Sequence, residues 1–169
     1  MKRLFAFLIF CWLFLLYQCS QAAAKNPGAA ELTPHFFQHQ AEFQQLVIQA
    51  CAVQKQMNTR HEVYKPGTAP EYPMPLAADF AKIDRLIDQI GGESLILLQG
   101  ADGGCSLLLL QWGFVFAGDS VEMSYSYNPS RLADYIPELH DLDKHNKQQP
   151  VYFTKPLADG WYVQYDYSP

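Results

Sequence analysis

Histidine and cysteine are the side chains of this chain best suited to hold a metal or attack a substrate, and their spacing limits what each could do. His35 and His39 stand four apart with Glu42 three further on, a spacing that can set three ligands along one side of a helix. His35 and Glu42 nevertheless fall off the apolar stripe of that segment, on a face expected to be wet. No HExxH or comparable set completes the ligands, so no metal and no cofactor are expected. His140 and His145 flank Asp141 and Asp143 in a charged stretch that a solvated loop explains. Function is therefore expected to survive loss of every histidine.

Cys51 and Cys105 are the cysteines that lie beyond residue 24. A disulfide between them, in an oxidising compartment, would close a loop of about 50 residues and add on the order of 4 kcal/mol. Two separate buried thiols are the competing reading. A catalytic thiol ranks last, because Gly103-Gly104-Cys105-Ser106 matches no nucleophile context. The glycine-rich stretch 100–104 precedes a strand, carries no P-loop lysine, and reads as a hairpin turn with Asp102 as a turn former. Paired catalytic carboxylates are defined by a separation in space that a sequence does not display.

Aromatic residues give the better functional lead. Tyr152, Phe153, Trp161, Tyr162, Tyr165 and Tyr167 crowd the end of the chain, and Tyr64 and Tyr72 stand in a proline-rich stretch beside Glu71. Tyrosine and tryptophan combine a large contact area with a polar handle, which suits protein interfaces. Alternating aromatics also fill sheet cores, so the face opposite Trp161, bearing Tyr162, Gln164 and Asp166, is where exposed side chains are expected. Tyr64, Glu71, Tyr72, Tyr162 and Asp166 are accordingly the candidate binding residues.

The elements that must position these groups follow a leader. Lys2 and Arg3, the apolar run 4–17 and the small residues Ala22-Ala23-Ala24 have the anatomy of a secretory signal peptide over residues 1–24. The run is shorter than the roughly 20 residues a membrane-spanning helix needs, so no membrane insertion is expected after its removal. Cys19 offers an alternative, a lipid-anchored envelope protein, but Tyr17-Gln18 before it is a poor match to lipoprotein processing. The expected location is the periplasm.

Residues 25–32 read as a linker and residues 33–169 as a single domain, since 145 residues suffice for one core and not comfortably for two. The leader holds two of the twelve basic residues and none of the seventeen acids, which leaves a mature charge of −7. That argues against nucleic acid and favours a basic protein partner. Thr33-Pro34 marks a helix start, and Phe36, Phe43, Val47, Ala50 and Val53 form one stripe on a long helix over 34–57. The proline density of 58–75 predicts an extended crossing loop. Leu76, Phe80, Ile83, Ile87 and Ile90 define a second helix stopped by Gly91-Gly92.

Beyond Gly92 the period becomes strand-like. Residues 94–99, 105–116 (with a break at Gly113) and 121–127 predict a three-stranded antiparallel meander, the last strand with Glu122, Ser124 and Ser126 on a wet outer face. A short helix over 130–135, a polar stretch over 140–149, and two strands over 151–154 and 161–167 follow. The predicted fold is α+β, two helices packed on one face of a four- or five-stranded antiparallel sheet.

The helix ending in Gly91-Gly92, the apolar hairpin, Tyr127-Asn128-Pro129 and the terminal Asp159-Gly160-Trp161-Tyr162-Val163-Gln164-Tyr165 together resemble small exported bacterial proteins of unassigned function. Some of these look like immunity proteins of toxin systems. The resemblance covers most of the mature chain in outline and implies no catalytic residues. The expected function is a non-enzymatic periplasmic inhibitor whose partner is a basic exported toxin; the alternative is a cell-envelope hydrolase or accessory enzyme acting on cell-wall material. Mass spectrometry of the native protein should show a chain beginning at Lys25, and a lipid-modified Cys19 would overturn that assignment.

Overall fold

The computed structural model describes residues 26–100, 103–116, 118–136 and 149–169. The leader, Cys19, Asp102 and the stretch holding His140, Asp141, Asp143 and His145 lie outside the described residues. The chain builds α1 (Ala29–Gln38), α2 (Gln40–Met57), β1 (His61–Tyr64), the 3-10 turn η1 (Ala69–Glu71), α3 (Leu76–Ile90), β2 (Ser94–Gln99), β3 (Cys105–Phe116), β4 (Asp119–Tyr127), β5 (Val151–Pro156) and β6 (Trp161–Ser168). All six strands join one antiparallel sheet in the order β1-β2-β3-β4-β6-β5. The α+β class holds, with one helix and at least one strand more than the sequence reading allowed.

The extra helix comes from the segment read as a linker. Ala29, Leu32 and Phe36 recur at helical spacing and all three are buried, so the helix starts five residues before Pro34. Gly28 caps it, and the Glu31 carboxylate accepts a hydrogen bond of 3.0 Å from the Gly28 N–H. Pro34 therefore sits inside α1, not at its first position. The long helix expected over 34–57 is broken at His39, whose backbone (φ −116°, ψ 23°) leaves the helical region while its N–H still reaches the carbonyls of His35 and Phe36. The break lets two helices apply separate apolar faces to a curved sheet.

A corresponding correction applies to 58–75. Its prolines all follow Tyr64, so nothing prevents the preceding residues from pairing with β2 as an edge strand, in the register His61 opposite Leu98 and Tyr64 opposite Leu95. Residues 131–136 are irregular and form no helix. The discontinuity expected at Gly113 is a register shift between Leu110 and Trp112, which leaves Gln111 as the extra residue of a bulge.

The helices cover one face of the sheet. Phe36 and Phe43, on either side of the break, pack against Tyr125 of β4 and Trp161 of β6 with ring centroids 4.7 to 6.3 Å apart. The Tyr125 hydroxyl donates to the Leu32 carbonyl at 2.8 Å, and the His35 ring donates to that hydroxyl from Nδ1 at 2.9 Å. His35 is thus half-buried against the sheet instead of on a wet face. Burial, aided by the neighbouring His39, lowers its pKa. Farther along, α3 lies on α2 and presents Phe80, Ile83, Ile87 and Ile90 to the core. Gly92 is needed where α3 turns into β2, because its φ of 148° is one that L side chains rarely adopt, and a Cβ there would also crowd the Leu109 side chain at 2.7 Å.

A set of hydrogen bonds and a covalent bond tie this layer to the sheet. Gln40 and Gln44 donate to Asp159 in the β5–β6 turn at 2.8 and 2.9 Å, and these bonds hold its pKa down. Cys51 of α2 is bonded to Cys105 of β3, with Cα atoms 5.6 Å apart. Paired cysteines, not separate thiols, are the state of this chain. Replacing both with alanine should lower the unfolding free energy by about 4 kcal/mol, the chain-entropy value for a loop of this length. Urea melts of the oxidised protein and the double variant would show it, and a loss below about 1 kcal/mol would refute the loop-closure account.

Candidate functional site

The strand period of two places alternate residues of β4, β5 and β6 on the face turned away from the helices. Glu122 stands opposite Asp166, Ser124 opposite Gln164 and Ser126 opposite Tyr162. One strand further, Tyr152 faces Asp166, Thr154 faces Gln164 and Pro156 faces Tyr162. Side chains in such positions have Cβ atoms about 5 Å apart, so Glu122 and Asp166 meet as a like-charge pair.

Their surroundings raise the pKa of both carboxyls. Burial is the larger cause for Glu122, with the Asp166 charge adding to it. For Asp166 burial again leads, and the Arg131 guanidinium partly opposes it. Arg131 lies 4.4 Å over the Tyr152 ring, whose hydroxyl donates to the Arg131 carbonyl at 3.0 Å. Among the described residues neither carboxylate accepts a hydrogen bond. The sequence reading had the serines of this face wet, but Ser124 and Ser126 are buried, and among the described residues Ser124 Oγ has no hydrogen-bond partner.

The segment after β4 bounds one side of this patch. Ala133 pairs with Thr154 through one backbone and one side-chain bond: the Thr154 N–H donates to the Ala133 carbonyl at 3.1 Å, and the Thr154 Oγ1 accepts from the Ala133 N–H at 3.0 Å. Tyr162, Thr154 and residues 132–135 enclose an open cleft of about 350 Å³. Leu132, on its rim, is 59 % exposed. The patch therefore offers the Glu122–Asp166 pair, Tyr152 and Tyr162, beside a recess lined by Leu132, Ala133, Tyr135 and Pro156 together with Asp134 and Thr154.

The sequence-predicted binding residues divide into two groups. Tyr162 and Asp166 come together here. Tyr64, Glu71 and Tyr72 lie at the β1 edge, four strands or about 19 Å away. Tyr64 is fully buried, stacked on Phe80 at 4.2 Å, and donates to Asp84 at 2.6 Å, so it is a core residue. Tyr72 is half-buried against Phe80 and donates to Glu62 at 2.9 Å. Burial first, and then Glu62, push its phenol up to about 12. Glu71 is exposed. Glu122, Tyr152 and Arg131 join the site and were missed by the sequence reading; the alternation of Glu122 with Ser124 and Ser126 was the available signal. The His35 and His39 rings lie 4.8 Å apart, but among the described residues no three metal-ligating side chains converge.

No family model, curated protein or solved structure matches the chain, so its own residues carry the functional argument. The strained pair yields a measurement. With pKa values raised above their unfolded values, both carboxyls bind protons more readily in the folded state, so their contribution to stability increases as pH falls toward the ordinary carboxylate range. Glu122→Gln should gain roughly 0.5 kcal/mol at about pH 7 and gain less than the parent protein on acidification to about pH 5. A variant destabilised at neutral pH in urea melts would show that the pair does not repel.

Proposed function

We propose that this protein is a non-enzymatic inhibitor that acts outside the cytoplasm, and that the acidic and aromatic patch on β4, β6 and β5 binds a basic exported toxin to confer immunity. The observation that carries the reading is the Glu122–Asp166 pair. Two half-buried carboxylates opposite each other are unfavourable in the free protein. An arginine or lysine from a partner would turn that repulsion into attraction, and Tyr152 and Tyr162 are the aromatic neighbours a buried contact uses. An apolar partner side chain fits the recess beside Tyr162. The Cys51–Cys105 bond is compatible with an oxidising compartment, and among the described residues no helix is long and apolar enough to cross a membrane.

One observation favours a second reading. Adjacent carboxyls with raised pKa values are also what a general acid and base require, so an envelope hydrolase is the alternative. The two readings separate in one set of measurements. The mature protein should capture a basic protein from its own cell envelope, release it in high salt, and inhibit that protein's activity at equal stoichiometry. Asp166→Lys should slow association about tenfold, and Tyr162→Ala should mainly speed dissociation, with the fold preserved in both. Turnover of cell-wall material that disappears in Glu122→Gln, without any inhibitory complex, would overturn the inhibitor reading.

A further inference from the structure

A second site lies on the opposite side of the molecule's charge balance, at the junction of the α2 C-terminus with the β2–β3 hairpin. An open cleft of about 440 Å³ is bordered by the Cys51–Cys105 disulfide, by Gln54 and Lys55 in the last turn of α2, by Asn58 and Thr59 just after it, and by Gln99, Gly103 and Gly104 of the hairpin. That volume lies within the range of small-molecule sites. Two of its side chains have bonding capacity that the fold leaves unused. Gln54 is 7 % exposed, and among the described residues its Nε2 donates to nothing. Lys55 is exposed and, among the described residues, forms no ion pair.

The lining restricts what would fit. An orphaned amide donor and an unpaired ammonium both call for acceptor oxygens, and the ammonium calls for negative charge. The remaining polar groups are the carboxamides of Asn58 and Gln99 and the hydroxyl of Thr59, which pair well with peptide N–H and C=O groups. The disulfide adds a small apolar surface. Among the described lining residues none is a carboxylate.

We propose that this cleft binds the C-terminal carboxylate of a short peptide, with Lys55 opposite the charge and Gln54 turning its amide to an oxygen of the terminal carboxylate or of the last peptide bond. The site is separate from the acidic patch on β4 and β6, and it does not depend on the inhibitor reading. A free peptide and the tail of a protein present the same group, so the two sources are distinguished by experiment.

Calorimetric titration of the disulfide-intact mature protein with N-acetyl-alanyl-alanine, with its C-terminal amide and with acetate supplies the test. The free acid should bind with a dissociation constant in the millimolar range or below, the amide at least fivefold more weakly, and acetate more weakly still. Lys55→Gln, a surface change, should reduce binding of the acid to the level of the amide. Gln54→Leu should weaken binding while raising the melting temperature, since it removes a buried unsatisfied donor; a merely structural glutamine would not show that opposition. The same dipeptide placed at the end of a flexible tail on a carrier protein should bind equally if protein tails are the source, and not at all if only free peptides enter. Equal binding of acid and amide, no binding of the acid, or an acid affinity unchanged by both Lys55→Gln and Gln54→Leu would each overturn the assignment.

Discussion

Tyr125 sets the constraint on which the arrangement of helices depends. A phenol fully buried on a central strand must find a hydrogen-bond partner inside the core, because an unpaired buried hydroxyl costs about 1–3 kcal/mol. The partner is the Leu32 carbonyl in α1, and the His35 ring closes on the same hydroxyl. That contact fixes where the first helix crosses the sheet. Phe36 and Phe43 can then pack around Tyr125 and Trp161 only if the chain turns between them, and the turn is His39. The helix break is therefore a consequence of the core and not of a helix-breaking residue at that position.

The same parity explains the acidic pair. Met123 and Tyr165 occupy the core face opposite each other, and with a period of two their neighbours Glu122 and Asp166 have no choice but to meet on the other face. Slipping β6 by one residue would separate the carboxylates and expose Trp161, Val163, Tyr165 and Tyr167 in exchange. Burial of four large side chains outweighs the repulsion of two half-buried charges by several kcal/mol. The core thus imposes the electrostatics of the opposite surface, which is how a fold can hold an unfavourable charge pair in place.

Class and strand alternation were legible in the sequence because burial leaves a periodic trace: Leu76 to Ile90 at helical spacing, and Trp161 to Tyr167 at spacing two. Elements were lost where two local signals competed. Thr33-Pro34 resembles a helix start, but Gly28 with Glu31 caps a helix already running, and only the burial of Ala29 and Leu32 decides between them. The strand β1 is four residues long and was masked by the prolines that follow it. The candidate site was half visible. Tyr162 and Asp166 could be placed on the outer face, whereas Glu122, Tyr152 and Arg131 depend on strand order and register across separations of up to 44 residues, which no local pattern encodes.

The bond between Ala133 and Thr154 has a meaning beyond the recess it helps to shape. β5 is an outermost strand, and outermost strands offer unpaired N–H and C=O groups as a template for another chain. Residues 131–136 occupy part of that template, while at the opposite border β1 is too short to offer much of one before Pro66 ends it. The sheet is thereby kept finite. A sheet rich in leucine and tyrosine thus presents little free edge to its own copies, because one short segment that follows β4 folds back on its outermost strand.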